Sequence, residues 1–234
     1  NTVFLQLIVM VMSFAPIGVF CLIGKFVIAD GLDIFQDVLA YVVLLISLLI
    51  FHALFTYSIF LKFICGLSPI TFFRKIKNVA LFAFSTSSSA ATIPVTLKTV
   101  NQDLGVNQNV ASFVVPVGAT INMDGTAIMQ GLATVFIAQM SGIDLTLFQY
   151  GQVVLLAVAT SIGTAAVPSA GTITLIIILQ QFNLPLEAIG IILAVDRVLD
   201  MIRTSVNVTG DAAIACIVAK SENQLDESIF NAHK

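Results

Sequence analysis

The chain has 234 residues, 58% of them hydrophobic and only 10% charged, with a formal net charge of -3 and a mean hydropathy of +1.04. An ordinary soluble domain carries roughly 25% charged residues, so this composition excludes one and predicts a multi-span integral membrane protein with no nucleic-acid partner. The alternation of apolar and polar residues that marks an outer-membrane barrel is absent, and the expected fold class is all-α.

Apolar runs lie at about 3–24, 38–61, 79–97, 110–140, 148–182 and 188–219, several as long as the roughly 20 residues a helix needs to cross the hydrocarbon core. The first starts at Asn1 without an initiator methionine, a basic leader or a cleavage site, so the chain reads as a fragment whose earlier spans lie upstream. Lys62, Arg74, Lys75 and Lys77 crowd one loop, whereas the loops at 31–36, 141–145 and 183–187 hold neither Lys nor Arg. Positive charge gathers on the cytoplasmic side, which assigns the first loop and the tail after Lys220 to that side and the other three loops to the opposite one. Lys98 would fall outside if 79–97 crossed as a single span, so this segment is expected to enter and return on the cytoplasmic side. Cys21, Cys65 and Cys216 stand far apart, with no paired Cys or His spacing. They read as buried small hydrophobes rather than a disulfide or a metal site.

Two apolar stretches are interrupted in a related way, by FSTSSSAATIP at Phe84–Pro94 and by SIGTAAVPSAG at Ser161–Gly171. Ser, Gly and Pro at membrane depth free backbone groups that only protein or water can satisfy, so each stretch is predicted to be the tip of a re-entrant helical hairpin. A helix with its own polar defect follows each: GATINMDGT at Gly118–Thr126 after the first, and a charged helix after the second. A hairpin and a broken helix occurring twice is the layout of a secondary transporter built from repeats, with its binding site between the broken segments. Close packing through small residues would explain one serine run, but it requires no carboxylates.

The charged helix, Val195–Ala219, carries Asp196, Asp200, Arg203, Asn207 and Asp211. At roughly 100° per residue these form one stripe less than about 90° wide. Ionic groups at membrane depth face a bundle interior or a polar cavity and mark a functional site. Arg203 presents a planar fork that matches a carboxylate, or else an internal ion pair with Asp200 or Asp196. Asp200, one turn earlier, suits a ligand's ammonium group, so the pair fits a zwitterion with an extra acid group. Free N–H groups at the hairpin tips suit its second carboxylate. Asn122, Asp124, Asn207 and Asp211 are hard oxygen donors, which favour alkali or alkaline-earth ions over transition metals, and Na+ is the natural candidate in a transporter.

The runs SSSAATIPVT, PVGATINMDGTA, SIGTAAVPSAG and DRVLDMIRTSVNVTGD, in this order, resemble the dicarboxylate/amino acid:cation symporter family, the glutamate/aspartate transporter homologues. The resemblance covers essentially the whole chain, but only the C-terminal part of a full member. It implies two membrane helices over 1–64, closing a scaffold and starting a transport core, and the core itself over 65–234. Within the core it implies a first hairpin at about 70–101, the NMDG helix at about 108–140, a second hairpin at about 146–182, a last helix at about 186–220 and a cytoplasmic tail at 221–234.

The resemblance also implies roles. Ser87, through its carbonyl, and Ser89 would hold substrate from the first hairpin, Thr126 from the NMDG helix, and Val167 and Gly171 from the second hairpin. In the last helix Asp200 would take the substrate amino group, Arg203 its side-chain carboxylate, and Thr204 and Asn207 the remaining polar atoms. Gly118 and Asn122 would serve one cation, with Asp211 and Asn207 also on the cation side. Asn122 and Asp124 would help to form another site, and Thr120, Met123, Ser161, Ile162 and Thr164 would frame a further one. The implied activity is symport of aspartate or glutamate with Na+, or with H+ in its place, by a multi-pass protein of the cell membrane bilayer that is a homotrimer at full length.

Two positions depart from the family. Archaeal members carry arginine where this chain has Ser87, and animal members carry arginine where it has Met201, so neither arginine is present and Arg197 stands one turn earlier. A proton-coupled or C4-dicarboxylate carrier is the nearest alternative reading. An intramembrane protease using Asp124 and Asp211 leaves Arg203 and both hairpin tips unexplained, and an anion channel leaves the clustered cation ligands unexplained. An enzyme is therefore not expected.

Overall fold

The computed structural model describes residues 34–232, together with Met10, Ile17, Phe20, Cys21, Gly24 and Ile28. The rest of the first apolar run, with the helix expected to end near Ala29, lies outside the described residues. Among the described residues all regular structure is helical, apart from one isolated antiparallel bridge between Val106 and Leu225.

Helix α1, Ile34–Phe51, continues through a π turn at His52–Thr56, a short α segment at Tyr57–Ile59 and a second π turn at Phe60–Ile64. It is nearly all apolar, and Phe35–Ile64 is the one helix among the described residues long and apolar enough to cross a membrane. The chain leaves it through Gly66 at φ +67°, a left-handed conformation that glycine adopts without strain. Ser68 then caps α2, Pro69–Thr86, by accepting from Thr71 N, with Pro69 in the first turn, where its missing N–H is harmless.

Each break predicted from the sequence separates two helices. Helix α2 ends at Ser87 in the left-handed region (φ 50°), and Ser88 caps α3, Ser89–Gln102. Helices α4, Gln108–Ile121, and α5, Asp124–Met140, meet at the non-helical pair Asn122 and Met123. A capping box at Thr146 and Gln149 starts α6, Leu147–Ile162, and the chain turns through 163–169 into α7, Ala170–Gln181. A 3-10 turn, Leu186–Ala188, leads into α8, Ile189–Ser221, of 33 residues. These breaks explain why the polar half of the molecule contains no second uninterrupted apolar span among the described residues: α6 and α7 are apolar but short, and α8 is long but ionic.

Helix α8 is the axis. It packs against α1, α2, α3, α4, α5 and α7, and its C-terminal half presents Gly210, Ala212, Ala213, Ala215, Cys216 and Ala219 as buried residues, small enough for neighbouring backbones to approach closely. The surface inverts the soluble pattern. Leu147, Ile70 and Phe63 are 88%, 81% and 77% exposed, while Asp196, Asp200, Arg203 and Asp211 are buried. Large apolar faces of this kind mark contact with lipid or protein.

Two expectations change. Cys65 and Cys216 are buried, but Cys21 is exposed, so the small-hydrophobe reading holds for two of the three thiols. The tail, expected from the sequence as a cytoplasmic tail over 221–234 with no element of its own, forms α9, Glu227–Asn231. It docks because Asp226 caps it, Phe230 is fully buried, and Lys75 Nζ reaches the carbonyls of Ile229 and Asp103.

Candidate functional site

The two hairpin tips, the start of α5 and the middle of α8 enclose one cavity. All nine residues predicted to hold substrate line it: Ser87 and Ser89 from the first tip, Val167 and Gly171 from the second, Thr126 from α5, and Asp200, Arg203, Thr204 and Asn207 from α8. Met123 and Thr164, predicted to frame a cation, line it as well, with Ala165 and Ala166. Its volume is about 20 Å³, room for little more than one water molecule.

Three contacts account for that small volume. Arg203 Nη2 donates to Asp200 Oδ1 at 2.5 Å, three residues back on the same helix face. Ser88 Oγ donates to Ala166 O at 2.8 Å and Ala90 N to the same oxygen at 3.4 Å, so the tips touch. Ser169 N, where α7 begins, donates to Asp200 Oδ2 at 3.0 Å. Both Asp200 oxygens are thus occupied from within the protein. The close seat of α7 depends on Gly171, where a Cβ would stand 2.7 Å from Thr126 Cγ2.

Asp196 lies behind this pair. Its Oδ1 accepts from Thr172 Oγ1 at 2.7 Å and sits 3.6 Å from Arg203 Nη1, so the guanidinium spans two carboxylates one turn apart. Asp196 Oδ2, Arg203 Nη1, Ser87 Oγ and Tyr41 Oη are buried without a hydrogen-bond partner. Buried polar groups are usually satisfied, so these atoms retain unused capacity, and of the four residues Ser87 and Arg203 line the polar cavity.

Among the residues expected to hold cations, Asn122 Nδ2 donates to Asp211 Oδ1 at 3.2 Å. Gly118 makes room for that carboxylate, since a Cβ there would lie 2.6 Å from Asp211 Oδ1. Asn207 Oδ1 accepts from Gly125 N at 2.8 Å, and its Nδ2 reaches Thr126 Oγ1 at 3.3 Å, which locks the substrate-lining and cation-side residues together. Carboxylate and amide oxygens around a glycine-lined pocket fit a hard monovalent cation such as Na+. Asp124, in the first turn of α5, turns to α1 and accepts from His52 and Tyr57. Ser161 and Thr164 are buried, with hydroxyls donated to the carbonyls of Val158 and Thr160. Thr120 and Ile162 have exposed side chains and lie outside the cavity lining.

Four contributors escape a reading by motif: His52, Tyr57, Gln130 and Thr172. Gln130 is fully buried, donates to Gly171 O at 3.0 Å and Thr174 Oγ1 at 2.7 Å, and accepts from Thr160 Oγ1 at 2.8 Å. A mid-run amide in the apolar stretch after Thr126, and one His with two Tyr in the run 38–61, were the available signals.

The profile of the sodium:dicarboxylate symporter family matches residues 1–221. The chain belongs to that family. It is 42% identical over 220 residues to an excitatory amino acid transporter of Caenorhabditis elegans, covering 93% of this chain and 44% of that protein. Excitatory amino acid transporter 2 of Homo sapiens is 40% identical over 239 residues, covering 100% of this chain and 42% of its own length. Excitatory amino acid transporter 3 of Mus musculus is 39% identical over 225 residues, at 95% and 43% coverage. The chain therefore spans less than half the length of these relatives. The family is one of membrane symporters of sodium and dicarboxylates, not of enzymes.

Proposed function

We propose that this chain carries the substrate and cation sites of a symporter that couples uptake of an acidic amino acid, aspartate or glutamate, to Na+. The observation that carries the reading is the Arg203 fork, held between Asp196 and Asp200 at a closed cavity between two broken hairpins. The match to excitatory amino acid transporters along the whole chain supports it.

An incoming side-chain carboxylate takes the Arg203 fork, and the released Asp200 takes the ammonium group. One buried charge pair is exchanged for two, so both protein charges stay compensated, which matters because an unpaired buried charge is strongly destabilising. The second carboxylate meets the Ser89 hydroxyl and free N–H groups at the tips, the Ser87 carbonyl, Val167 and Gly171 line the substrate, and Thr126, Thr204 and Asn207 hold the remaining polar atoms. A molecule of this size requires the tips to separate, which breaks the Ser88 to Ala166 contact and makes the tips the gate.

The site holds four carboxylates, the buried Asp196, Asp200 and Asp211 and the half-buried Asp124, against the single guanidinium of Arg203. An acidic amino acid adds negative charge, so binding is favoured only together with cations, and the two affinities are coupled reciprocally. Asn122, Asn207 and Asp211 beside Gly118 hold one Na+, and Asn122 with Asp124 helps to hold another. Met123, Ser161 and Thr164 frame a third, to which Thr120 and Ile162, with exposed side chains, contribute main-chain oxygens. The exposed apolar surface supports multi-pass placement in the cell membrane.

Radiolabelled uptake by the full-length protein in liposomes tests this reading. Aspartate and glutamate should accumulate under an inward Na+ gradient and not under an H+ gradient, and succinate should compete weakly. Uptake driven equally well by H+ alone would overturn it.

A further inference from the structure

The cation side contains a phenol for which that reading has no role. Tyr57 is 2% exposed and stands between the two π turns of α1. Its hydroxyl donates to Asp124 Oδ2 at 3.1 Å, and His52 Nε2 lies 3.1 Å from the same oxygen. The tautomer that suits a carboxylate has the proton on Nε2, and Thr56 Oγ1, at 3.2 Å from Nδ1, then donates to the other nitrogen.

His52 and Tyr57 are five residues apart. On an α-helix such residues diverge by roughly 140° and cannot address one atom. The π turn at His52–Thr56 closes i to i+5 hydrogen bonds and brings the two side chains over one another, with their rings edge to face at 5.0 Å. The irregularity in α1 thus has a specific product: two donors converge on one oxygen of Asp124.

Asp124 Oδ1, by contrast, accepts no hydrogen bond among the described residues. With Oδ2 pinned from two directions, the plane of the carboxylate is fixed and Oδ1 is held out as a free hard oxygen. Tyr57 Oη is also 3.3 Å from Val206 O on α8, but a hydroxyl has one proton and the ionised carboxylate is the stronger acceptor. Gly210 admits the phenol: a Cβ there would stand 2.5 Å from Tyr57 Oη and 2.7 Å from Asn122 Nδ2. The same gap therefore seats the hydroxyl that pins Asp124 and the amide that holds Asp211.

We propose that Tyr57 is a positioning residue of the cation site, pinning Asp124 Oδ2 so that Oδ1 is presented to Na+. This rests on the reading that Asp124 is a cation ligand. Outer hydrogen bonds to metal-bound carboxylates typically contribute 10- to 100-fold in affinity, and the phenol supplies one such bond from a helix that the sequence motifs leave out of the site.

The test titrates Na+ against aspartate binding in the purified full-length protein for wild type, Tyr57→Phe and Asp124→Asn, with thermal unfolding recorded with and without Na+. Tyr57→Phe keeps the ring and its packing. It should raise the Na+ midpoint about 10- to 100-fold, leave aspartate affinity at saturating Na+ within about two-fold, and shrink the Na+-induced rise in unfolding temperature without lowering the Na+-free value. If Asp124→Asn shifts the midpoint and Tyr57→Phe does not, or if Tyr57→Phe lowers unfolding temperature equally with and without Na+ at an unchanged midpoint, the positioning role is overturned and the cation site stands. An unchanged midpoint in Asp124→Asn overturns the underlying reading instead.

Discussion

Arg203 Nη2 lies 2.5 Å from Asp200 Oδ1, three residues apart on one face of α8, with both side chains buried. A charged pair so far from water persists because each partner compensates the other, while Ser169 N and Asp196 add further polar contacts. Such a pair contributes little net stability, but removing one member leaves the other stranded. Under the proposed function it is a preformed receptor whose two halves separate only when a ligand supplies a replacement for each.

Arg203→Lys should therefore retain the fold and lose acidic substrate. Lysine keeps the charge but not the planar fork, and loss of charge-assisted hydrogen bonding of this kind costs about 1.5 to 3 kcal/mol. By titration calorimetry at saturating Na+, aspartate affinity should fall roughly 10- to 150-fold. Arg203→Cys should abolish aspartate binding and admit neutral amino acids such as serine. Aspartate affinity unchanged in either variant would remove Arg203 from the site.

Gln130 supports a second prediction. Its amide ties α5 to α6 and α7 through Thr160, Gly171 and Thr174. Gln130→Leu keeps most of the volume and removes every polar link. Thr160 and Thr174 retain their own carbonyl partners, so the loss belongs at the lower end of the range for unsatisfied buried groups, about 1 kcal/mol. The expected outcome is a lower unfolding temperature with faster hydrogen exchange in the second hairpin. Equal exchange in both proteins would show that the amide does not hold the hairpin.

The legible part of the molecule is the part written in short-range spacing. Asp200, Arg203, Asn207 and Asp211 share a face because the α-helical repeat puts them there, and Ser87, Ser88 and Gly163 stand at helix ends because small polar residues break helices. The illegible part depends on non-local or irregular geometry. No propensity announces the π turn that sets His52 edge to face against Tyr57, and no local pattern says that Ser88 will meet Ala166 across 78 residues. Asp196 belongs to the stripe by spacing, yet it turns to Thr172, a threonine from another helix that only the packing of α7 on α8 brings near. The docked tail was hidden for a similar reason: Leu225, Ile229 and Phe230 are scattered apolar residues in a polar end, and the burial of Phe230 needs the groove beside Lys75.

Gly118 offers a test of the Asp211 pocket. Gly118→Ala would add a Cβ 2.6 Å from Asp211 Oδ1 and 3.0 Å from Cγ, so the carboxylate must move away from Asn122. Overpacking of this sort costs about 1 to 3 kcal/mol. The Na+ concentration for half-maximal aspartate binding should rise, and the Na+-dependent gain in unfolding temperature should shrink. A variant with wild-type Na+ dependence would mean that Asp211 does not contact the cation.

The docked tail gives the pH prediction. Asp226 accepts from Ser228 Oγ at 2.6 Å, from Ile229 N at 3.3 Å and from Ser228 N at 2.9 Å, and the serine hydroxyl first, then these amides, hold its carboxyl below the usual range. The folded pKa is thus depressed relative to the unfolded chain. Capping is fully present above the ordinary aspartate value of about 3.9 and is lost as the pH falls through the lower folded value. After correction for intrinsic rates, hydrogen exchange at the Phe230 amide, which donates to Asp226 O at 3.1 Å, should stay slow from neutral pH down to about pH 5 and accelerate below about pH 4. Asp226→Ala should exchange fast across the whole range, because without the carboxylate no pH restores the cap. Slow exchange at Phe230 in that variant would mean that burial of the ring in its groove, rather than the cap, keeps α9 docked.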